Sequence, residues 1–322
     1  MKKKNEYTSR INRVIDYIEN HLGDELNLHT LAGVANFSPY HFHRIFHAMT
    51  GESLSRFIQR LRIEKAASLL CANTDITITR IALDCGFSSS AAFSRAFRDY
   101  FNMPPSEWRA SRECEEKSNI SKTDSNIRQH KSNTWKANPC ETVYDDSNNT
   151  TSYTRRNRNM RFKNVAVKNL PDMHVAYVRH TGPYMGDGEL FNDLFTRLFT
   201  WAGARDLLRF PETQVMSVYH DNPEITDEDN LRTSICITVP KDTQVNGEIG
   251  KMTIPGGRYA MARFELDVDQ YAEAWDQVFK EWLPASGYQP DDRPAFELCH
   301  NDPKDHPEGK HIVDICIPVK PL

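Results

Sequence analysis

Residues 88–109, Ser-Ser-Ser-Ala-Ala-Phe-Ser-Arg-Ala-Phe-Arg-Asp-Tyr-Phe-Asn-Met-Pro-Pro-Ser-Glu-Trp-Arg, decide the fold of the first part of this 322-residue chain. Their apolar residues recur at helical spacing and predict a helix with one buried stripe. Ser94, Arg95 and Arg98 fall on the outward side of that helix. Asn102 and the prolines after it predict where the helix ends. The stretch therefore predicts a short amphipathic helix that presents two arginines to a partner.

A second copy of this pattern lies upstream. Phe42-His43-Arg44-Ile45-Phe46 and Phe93-Ser94-Arg95-Ala96-Phe97 share the pattern Phe-x-Arg-x-Phe. A helix from about Leu54 to Cys71 lies between them and spans about 27 Å at 1.5 Å per residue. With its connections, it would set the two arginine-bearing helices about one DNA turn, roughly 34 Å, apart. A helical bundle with no DNA partner is the alternative, but it needs neither the repeat nor the exposed arginines.

The rest of residues 6–112 also has helical periodicity. Ser38 is expected to cap the first arginine-bearing helix, with Pro39 at its first position and Thr50-Gly51 at its end. The predicted buried stripes of the second, third and fourth helices consist of Leu28, Leu31, Ala32 and Ala35; Phe42, Ile45, Phe46 and Met49; and Phe57, Leu61, Ala66, Leu69 and Leu70. The region is therefore expected to be all-α, with two helix-turn-helix units.

The stretch from Gly86-Phe87 to Phe97, followed by Phe101-Asn102-Met103-Pro104-Pro105-Ser106-Glu107-Trp108-Arg109, resembles the signature of AraC/XylS transcription regulators. The resemblance implies a double helix-turn-helix DNA-binding domain over residues 6–112 and double-stranded promoter DNA as the partner. By the same resemblance, the base-reading positions are Tyr40, His43 and Arg44 on the first recognition helix and Ser90, Ala91 and Arg95 on the second.

Arg44 has the chemistry for a bidentate contact with guanine. Ser90 and Ala91 are small, so base reading by the second helix is expected to depend mainly on Arg95. A phosphate contact is the alternative role for Arg95. Ser38 and Ser89 stand at helix starts, where backbone N–H groups favour phosphate.

Charge and composition differ along the chain. Residues 1–112 carry 15 basic and 11 acidic side chains, a net charge of +4, whereas residues 160–322 carry 17 and 26, a net charge of −9. Residues 113–159 are polar and poor in aliphatic residues, and they predict a flexible linker. The seven scattered cysteines form no C-x-x-C pair, which favours reduced thiols in a cytoplasm. No apolar run is long enough to span a membrane, and no secretory signal is expected.

Residues 160–322 contain a repeat of their own. Residues 215–223 parallel residues 295–303, and residues 234–240 parallel residues 314–319. Each half reads strand, helix, strand, strand, with helices expected at about Met185–Ala202 and Val268–Leu283. The expected fold is therefore an α+β domain of two tandem β-α-β-β repeats.

This region resembles the gyrase-inhibitor-like (GyrI-like) effector-binding domain. The resemblance is carried by residues 180–184, 254–259, 282–287 and 294–297, and it covers nearly all of 160–322. It implies a cleft between the halves that binds aromatic, often cationic, molecules. Glu297 lies mid-strand opposite Phe296 and Leu298, and its repeat partner is Ser217, so the fold itself does not need the acid. Glu297 is thus predicted to pair with a cation; an outward, solvated strand residue is the alternative.

The candidate aromatic walls of the cleft are Tyr184, Tyr219, Trp275 and Trp282, for each of which plain core packing is the alternative. Together the two regions predict a cytoplasmic bacterial regulator, more an activator than a repressor, that senses a small molecule in the manner of a multidrug sensor. We expect no cofactor, metal, membrane or enzymatic activity, RNA polymerase as a further partner, and a monomer or weak dimer. A small-molecule hydrolase that uses Glu297 and a protein-interaction module for a gyrase-like partner are the alternatives.

Overall fold

A computed structural model describes residues 2–72, 75–118 and 164–322. The first part is helical: α1 spans Lys2–Asn20, α2 Leu28–Val34, α3 Pro39–Thr50, α4 Leu54–Ala72, α5 Ile78–Asp84, α6 Ser90–Phe101 and α7 Pro105–Ser118. The prediction of two helix-turn-helix units is confirmed, as α2–α3 and α5–α6, with α4 between them. None of the helices in the described ranges is long and apolar enough to cross a membrane.

Local side-chain chemistry sets the ends of these helices. The side chains of Asn27, Thr77 and Ser89 each accept a hydrogen bond from the backbone at the start of α2, α5 and α6. Ser38 occupies the corresponding position before α3, but its side chain makes no capping bond, so that expectation was wrong. Pro39 still begins the helix, because its fixed φ suits the first turn. Gly51 ends α3 in the left-handed region, as predicted.

Each helix-turn-helix unit has its own apolar core. Phe42, Phe46 and Phe57 are buried in the first, and Phe93 and Phe97 in the second. Two residues predicted to lie in buried stripes are exposed instead, Leu28 at 36% and Met49 at 37% of their full surface. Both stand near helix ends, where the neighbouring turn leaves one side of the stripe uncovered.

The helix α7 continues into the segment predicted as a flexible linker. It ends at Ser118, whereas the linker was predicted from residue 113. The rest of the predicted linker, residues 119–159, lies outside the described residues.

The second part is built on one antiparallel sheet. Its strands are β1 (Asn164–Leu170), β2 (Met173–Thr181), β3 (Val215–Tyr219), β4 (Arg232–Thr238), β5 (Gly250–Ile254), β6 (Gly257–Leu266), β7 (Tyr288–Pro290), β8 (Ala295–Cys299) and β9 (His311–Pro321). Eight of them follow the order β1-β6-β9-β8-β3-β4-β2-β5, and β7 pairs with β9. The edge strands of this order are β1 and β5. A short turn joins β1 to β2, the neighbour of β5, and another joins β5 to β6, the neighbour of β1, so the chain passes twice from one edge of the sheet to the other.

The predicted tandem repeat is confirmed. The first half is β2-α8-β3-β4, where α8 spans Gly188–Gly203, and the second is β6, a helical segment, β8 and β9. The halves join where β3 pairs with β8, and the repeat-related Ser217 and Glu297 face each other across that pair. The centre of the sheet is therefore the place where the two halves meet.

The two faces of the sheet have different neighbours. Ala176 and Val178 of β2 pack with α8, and the second helical segment covers the other half of that face. Tyr177, between them in sequence, points to the opposite face and donates a hydrogen bond to Asp16 of α1, with 2.5 Å between the oxygens. The helical first part of the chain thus packs against the face of the sheet that neither repeat helix covers, the helix-free face.

Both repeat helices differ from the predicted ones, the first in where it starts and the second in its regularity. The first begins at Gly188 rather than near Met185, with Asp187 capping it. The second is not one helix over 268–283. A 3₁₀ turn at Val268–Gln270 leads into α9 (Tyr271–Asp276), a π-helical turn at Gln277–Trp282 follows, and α10 (Leu283–Ala285) ends the segment. The π turn widens the helix from Gln277 onward, two residues after Trp275.

Candidate functional site

The helix α3 presents polar side chains on the side opposite its core. Phe42 and Phe46 are fully buried, while Tyr40 is 67% exposed and His43 and Arg44 are exposed as well. Ser38 is exposed at the start of the helix. His43 and Arg44 line a shallow groove together with His47, Ser53 and Leu54, three residues that were not predicted as site residues. The predicted base-reading residues of α3 therefore share one accessible surface.

The helix α6 has the same arrangement with smaller side chains. Ala91 and Arg95 are exposed and Ser90 is half-buried. Ser89 is exposed, but its hydroxyl already accepts a hydrogen bond from the backbone N–H of Ala92, at 3.2 Å. Within the described part of the chain, neither Arg44 nor Arg95 forms an ion pair, so both guanidinium groups remain available for an anionic partner.

A buried carboxylate lies at the centre of the second candidate site. Glu297 is 4% exposed and points from β8 toward the helix-bearing face, between the two repeat halves. The Trp275 Nε1–H donates to one carboxylate oxygen at 2.6 Å, and the Tyr219 hydroxyl donates to the other at 2.9 Å. This burial excludes the alternative of an outward, solvated strand residue.

Aromatic rings surround this carboxylate. The Tyr219 ring lies 5.6 Å from the Tyr184 ring and 5.6 Å from the Trp275 ring, the latter edge to face. Phe279, which is 41% exposed, stacks on Trp275 at 6.0 Å and was not singled out from the sequence. Aromatic rings thus lie around a buried acid, an arrangement that is chemically suited to an aromatic cation.

Trp282 lies elsewhere. It stacks on Tyr288 at 6.4 Å and packs into the core of the second half. The core-packing alternative therefore holds for Trp282, which lies at the end of the π-helical turn. Of the four predicted walls, the structure thus brings Tyr184, Tyr219 and Trp275 together around Glu297.

The environment changes the proton affinity of the site. Burial raises the pKa of Glu297 to about 7, and the hydrogen bonds from Trp275 and Tyr219 partly oppose that rise. Burial beside Glu297 also raises the pKa of Tyr219 well above its ordinary value, so the phenol stays a hydrogen-bond donor. The carboxyl can therefore change its charge near neutral pH while its two donors remain in place.

Both parts of the chain match known families. A helix-turn-helix domain model matches residues 31–111, and a model of the GyrI-like small molecule binding domain matches residues 163–320. The chain belongs to the AraC-type helix-turn-helix regulators and carries a GyrI-like domain. The two resemblances noted in the sequence are thereby confirmed for this AraC-type chain.

Individual relatives match one part or the other. A protein named DNA gyrase inhibitor from Edwardsiella piscicida is 30% identical over 164 residues, which are 48% of this AraC-type chain and 97% of the relative. An uncharacterised helix-turn-helix transcriptional regulator of Bacillus subtilis is 37% identical over 103 residues, 32% of this chain and 35% of the relative, so the chain spans about a third of that regulator's length. A solved AraC-type regulator structure from Chromobacterium violaceum is 31% identical and covers 32% of this chain and 91% of its own, with a TM-score of 0.30.

Proposed function

We propose that this protein is a one-component transcription regulator that reads DNA with α3 and α6 and responds to a small aromatic cation bound at Glu297. The observation that carries the ligand part is the electrostatic environment of Glu297. The carboxylate is buried, and among the described residues it forms no ion pair; Tyr219 and Trp275 are its hydrogen-bond donors. A buried carboxylate without a counter-charge is costly, and a bound cation would remove that cost.

The proposed DNA contacts follow the exposed face of each recognition helix. Tyr40, His43 and Arg44 would read base edges in one major-groove segment, and Arg95, with Ser90 and Ala91, would read the next. Ser38 and Ser89 would contact phosphate through the N-terminal ends of α3 and α6. Because Ser90 and Ala91 are short, α3 would contribute more of the sequence specificity than α6.

The remaining parts of the proposal concern the whole molecule. The protein would act as an activator in contact with RNA polymerase, as a monomer or weak dimer in a bacterial cytoplasm. Residues 6–112 would form the DNA-binding domain and residues 160–322 the effector domain. It would sense its ligand without turning it over.

The test compares two probes of nearly identical shape and different charge. Benzyltrimethylammonium is a permanent cation, and neopentylbenzene is its neutral isostere. The full chain should bind the cation more tightly at pH 8, and Glu297→Gln should lower the affinity for the cation by about tenfold or more while leaving the neutral probe nearly unaffected. Equal losses for both probes would refute the ion-pair role. Turnover of a separate probe that carries a hydrolysable bond, such as an aryl ester, would support the hydrolase alternative.

The name of one group of relatives favours a second candidate function. Proteins named DNA gyrase inhibitor match nearly their whole length to the second part of this chain. We therefore also propose to test binding of the full chain to purified gyrase and inhibition of DNA supercoiling. Inhibition that persists in Glu297→Gln would assign the GyrI-like domain a protein partner that does not use the aromatic pocket.

A further inference from the structure

The two halves of the GyrI-like sheet contain repeat-related polar trios on the helix-free face. In the second half, Arg263 pairs with Asp314 through its Nε, and His300 Nε2 lies 2.8 Å from Asp314 Oδ2. In the first half, the repeat-related residues are Arg179, His220 and Ser234. Arg179 Nε donates to the Ser234 hydroxyl at 3.2 Å, and His220 Nε2 lies 2.9 Å from the same oxygen.

The trios differ in one respect that changes their charge. Asp314 neutralises Arg263 within the second half, whereas Ser234, in the same place of the first half, is neutral. Arg179 is nevertheless the more deeply buried of the two arginines, with 2% of its side chain exposed against 42% for Arg263. The first half therefore buries a guanidinium group without a carboxylate at the position where its repeat has one.

The missing negative charge comes from the helical region. Asp16 of α1 lies 2.8 Å from Arg179 Nη1, and Glu19, one turn later, lies 4.0 Å from Arg179 Nη2. In the described part of the chain, these are the carboxylates that pair with Arg179. Tyr177, stacked under the Arg179 guanidinium at 4.7 Å, donates its hydroxyl hydrogen to Asp16. Asp16 thus occupies the electrostatic role that Asp314 has in the other half.

A second buried arginine strengthens the same contact. Arg232 is 3% exposed and pairs with Asp221 of its own half at 2.5 Å and with Glu19 of α1. His220 Nδ1 lies 3.7 Å from Glu19, and burial beside two arginines holds the pKa of His220 well below its ordinary value. His220 is therefore neutral, so two buried cations meet Asp16, Glu19 and Asp221.

We propose that Asp16 and Glu19 form a latch that docks the DNA-reading helices onto the GyrI-like sheet by supplying the carboxylate that the first repeat lacks. A second interdomain contact lies outside this cluster, where Lys65 of α4 pairs with Asp292 at 2.6 Å. Ile225 packs against the core of the second helix-turn-helix unit. The latch therefore fixes the helical region, which carries α3 and α6, at one end of an extended contact with the second part of the chain.

The latch lies next to the candidate effector pocket. Tyr219 contacts Glu297 on one side of the sheet, and the following residue, His220, contacts the latch on the other. A movement of the Tyr219 backbone would therefore reach the latch directly. That consequence depends on the proposed ligand function, whereas the latch itself does not.

The test uses the Lys65–Asp292 pair as a reporter of docking in the full chain. A carbodiimide joins an amine and a carboxylate only when they are in contact, and the Lys280–Asp276 pair within one helical segment, at 2.8 Å, is an internal standard. Ser234→Asp places a carboxylate beside Arg179, as Asp314 stands beside Arg263, and should compete with Asp16. We expect the Lys65–Asp292 cross-link to fall by about tenfold relative to the standard. Ser234→Asn, of the same size but uncharged, should leave it unchanged.

Two outcomes would overturn the latch. One is equal Lys65–Asp292 cross-linking in Ser234→Asp and Ser234→Asn; the other is no such cross-link in the unmodified chain when the internal standard forms. Should Ser234→Asp fail to fold, the double variant Asp16→Asn/Glu19→Gln decides, because it removes the latch carboxylates from the other side. It should lower the same cross-link by a similar factor, and an unchanged yield in this variant would refute the proposal.

Discussion

Tyr219 donates a hydrogen bond to Glu297 across the central pair of strands, with 2.9 Å between the oxygens, and thereby joins the two halves of the repeat. This bond favours the ionised carboxyl, against the burial that raises its pKa to about 7. The charge of the candidate pocket therefore depends on this hydroxyl.

Removal of the hydroxyl should shift the pH dependence of cation binding. Binding of benzyltrimethylammonium needs ionised Glu297, so the affinity should rise as pH increases through about 7. Tyr219→Phe should move the midpoint to higher pH, because one stabilising donor is lost. Tyr184→Phe is the matched control, since its ring packs against Tyr219 and no hydrogen bond from it to Glu297 is present in the described residues. Calorimetric titration across pH 5.5–8.5 measures both midpoints; a shift in Tyr184→Phe alone would contradict the assignment.

The stability of the folded chain should also depend on Glu297. Between 4.5, the ordinary value of a glutamate, and about 7, the folded state keeps the proton that the unfolded state has lost. The free energy of unfolding should therefore decrease as pH rises through this window. Glu64 is also buried, its pKa is also raised to about 7, and it contributes the same trend in every variant. The free energies of unfolding in urea of the native chain and of Glu297→Gln should thus converge at low pH and separate near pH 8, where the variant is more stable. Parallel pH curves of the two proteins would exclude Glu297 as a source of the trend.

Arg44→Ala should weaken DNA binding at one base pair of the preferred site by about 1–3 kcal/mol and relax the base preference there. Arg13→Ala, which removes an exposed arginine of α1, controls for the loss of one positive charge. Binding to a library of single-base variants at fixed salt measures the effect. A uniform loss on all sequences, with a salt dependence lowered by about one ion, would instead assign Arg44 to phosphate.

The turn of the second helix-turn-helix unit should not tolerate a side chain. Gly86 has φ +83°, and a Cβ there would lie 2.6 Å from the Leu22 carbonyl oxygen and 2.7 Å from Arg62 Nη2. Gly51 has φ +79° but open space around it. Gly51→Ala should therefore cost only the left-handed backbone, about 1 kcal/mol, and Gly86→Ala about twice that or more. Thermal unfolding of the two variants compares them, and equal losses would mean that the surroundings of Gly86 relax.

Local patterns in the sequence were sufficient for the helices, the repeats and most of the pocket. The Phe-x-Arg-x-Phe repeat located both recognition helices, and the repeat partner Ser217 marked Glu297 as an acid that the fold does not require. For Trp282 the alternative of plain core packing is the one that the structure shows, because its aromatic type alone does not tell a wall of the cleft from a core residue.

Contacts between distant parts of the chain were not predicted. Asp16 and Glu19 read as polar residues of an amphipathic helix, and nothing near them in the sequence indicates Arg179 or Arg232. One signal was present: the repeat aligns the neutral Ser234 with the acidic Asp314, which indicates that the first half lacks a negative charge at this position. Reading repeats for differences in charge, and not only for similarity, would have pointed to this surface.

The difference between Ser234 and Asp314 also has a consequence for the isolated second part of the chain. The second repeat carries its own counter-charge and would be electrostatically complete in isolation. The first repeat would be left with Arg179 and its neighbour Arg232 facing solvent on a surface shaped to be covered. A fragment beginning after the linker would therefore expose a local cationic patch on an otherwise acidic domain, and ligand or gyrase binding measured on it would include the attraction of that patch for anions.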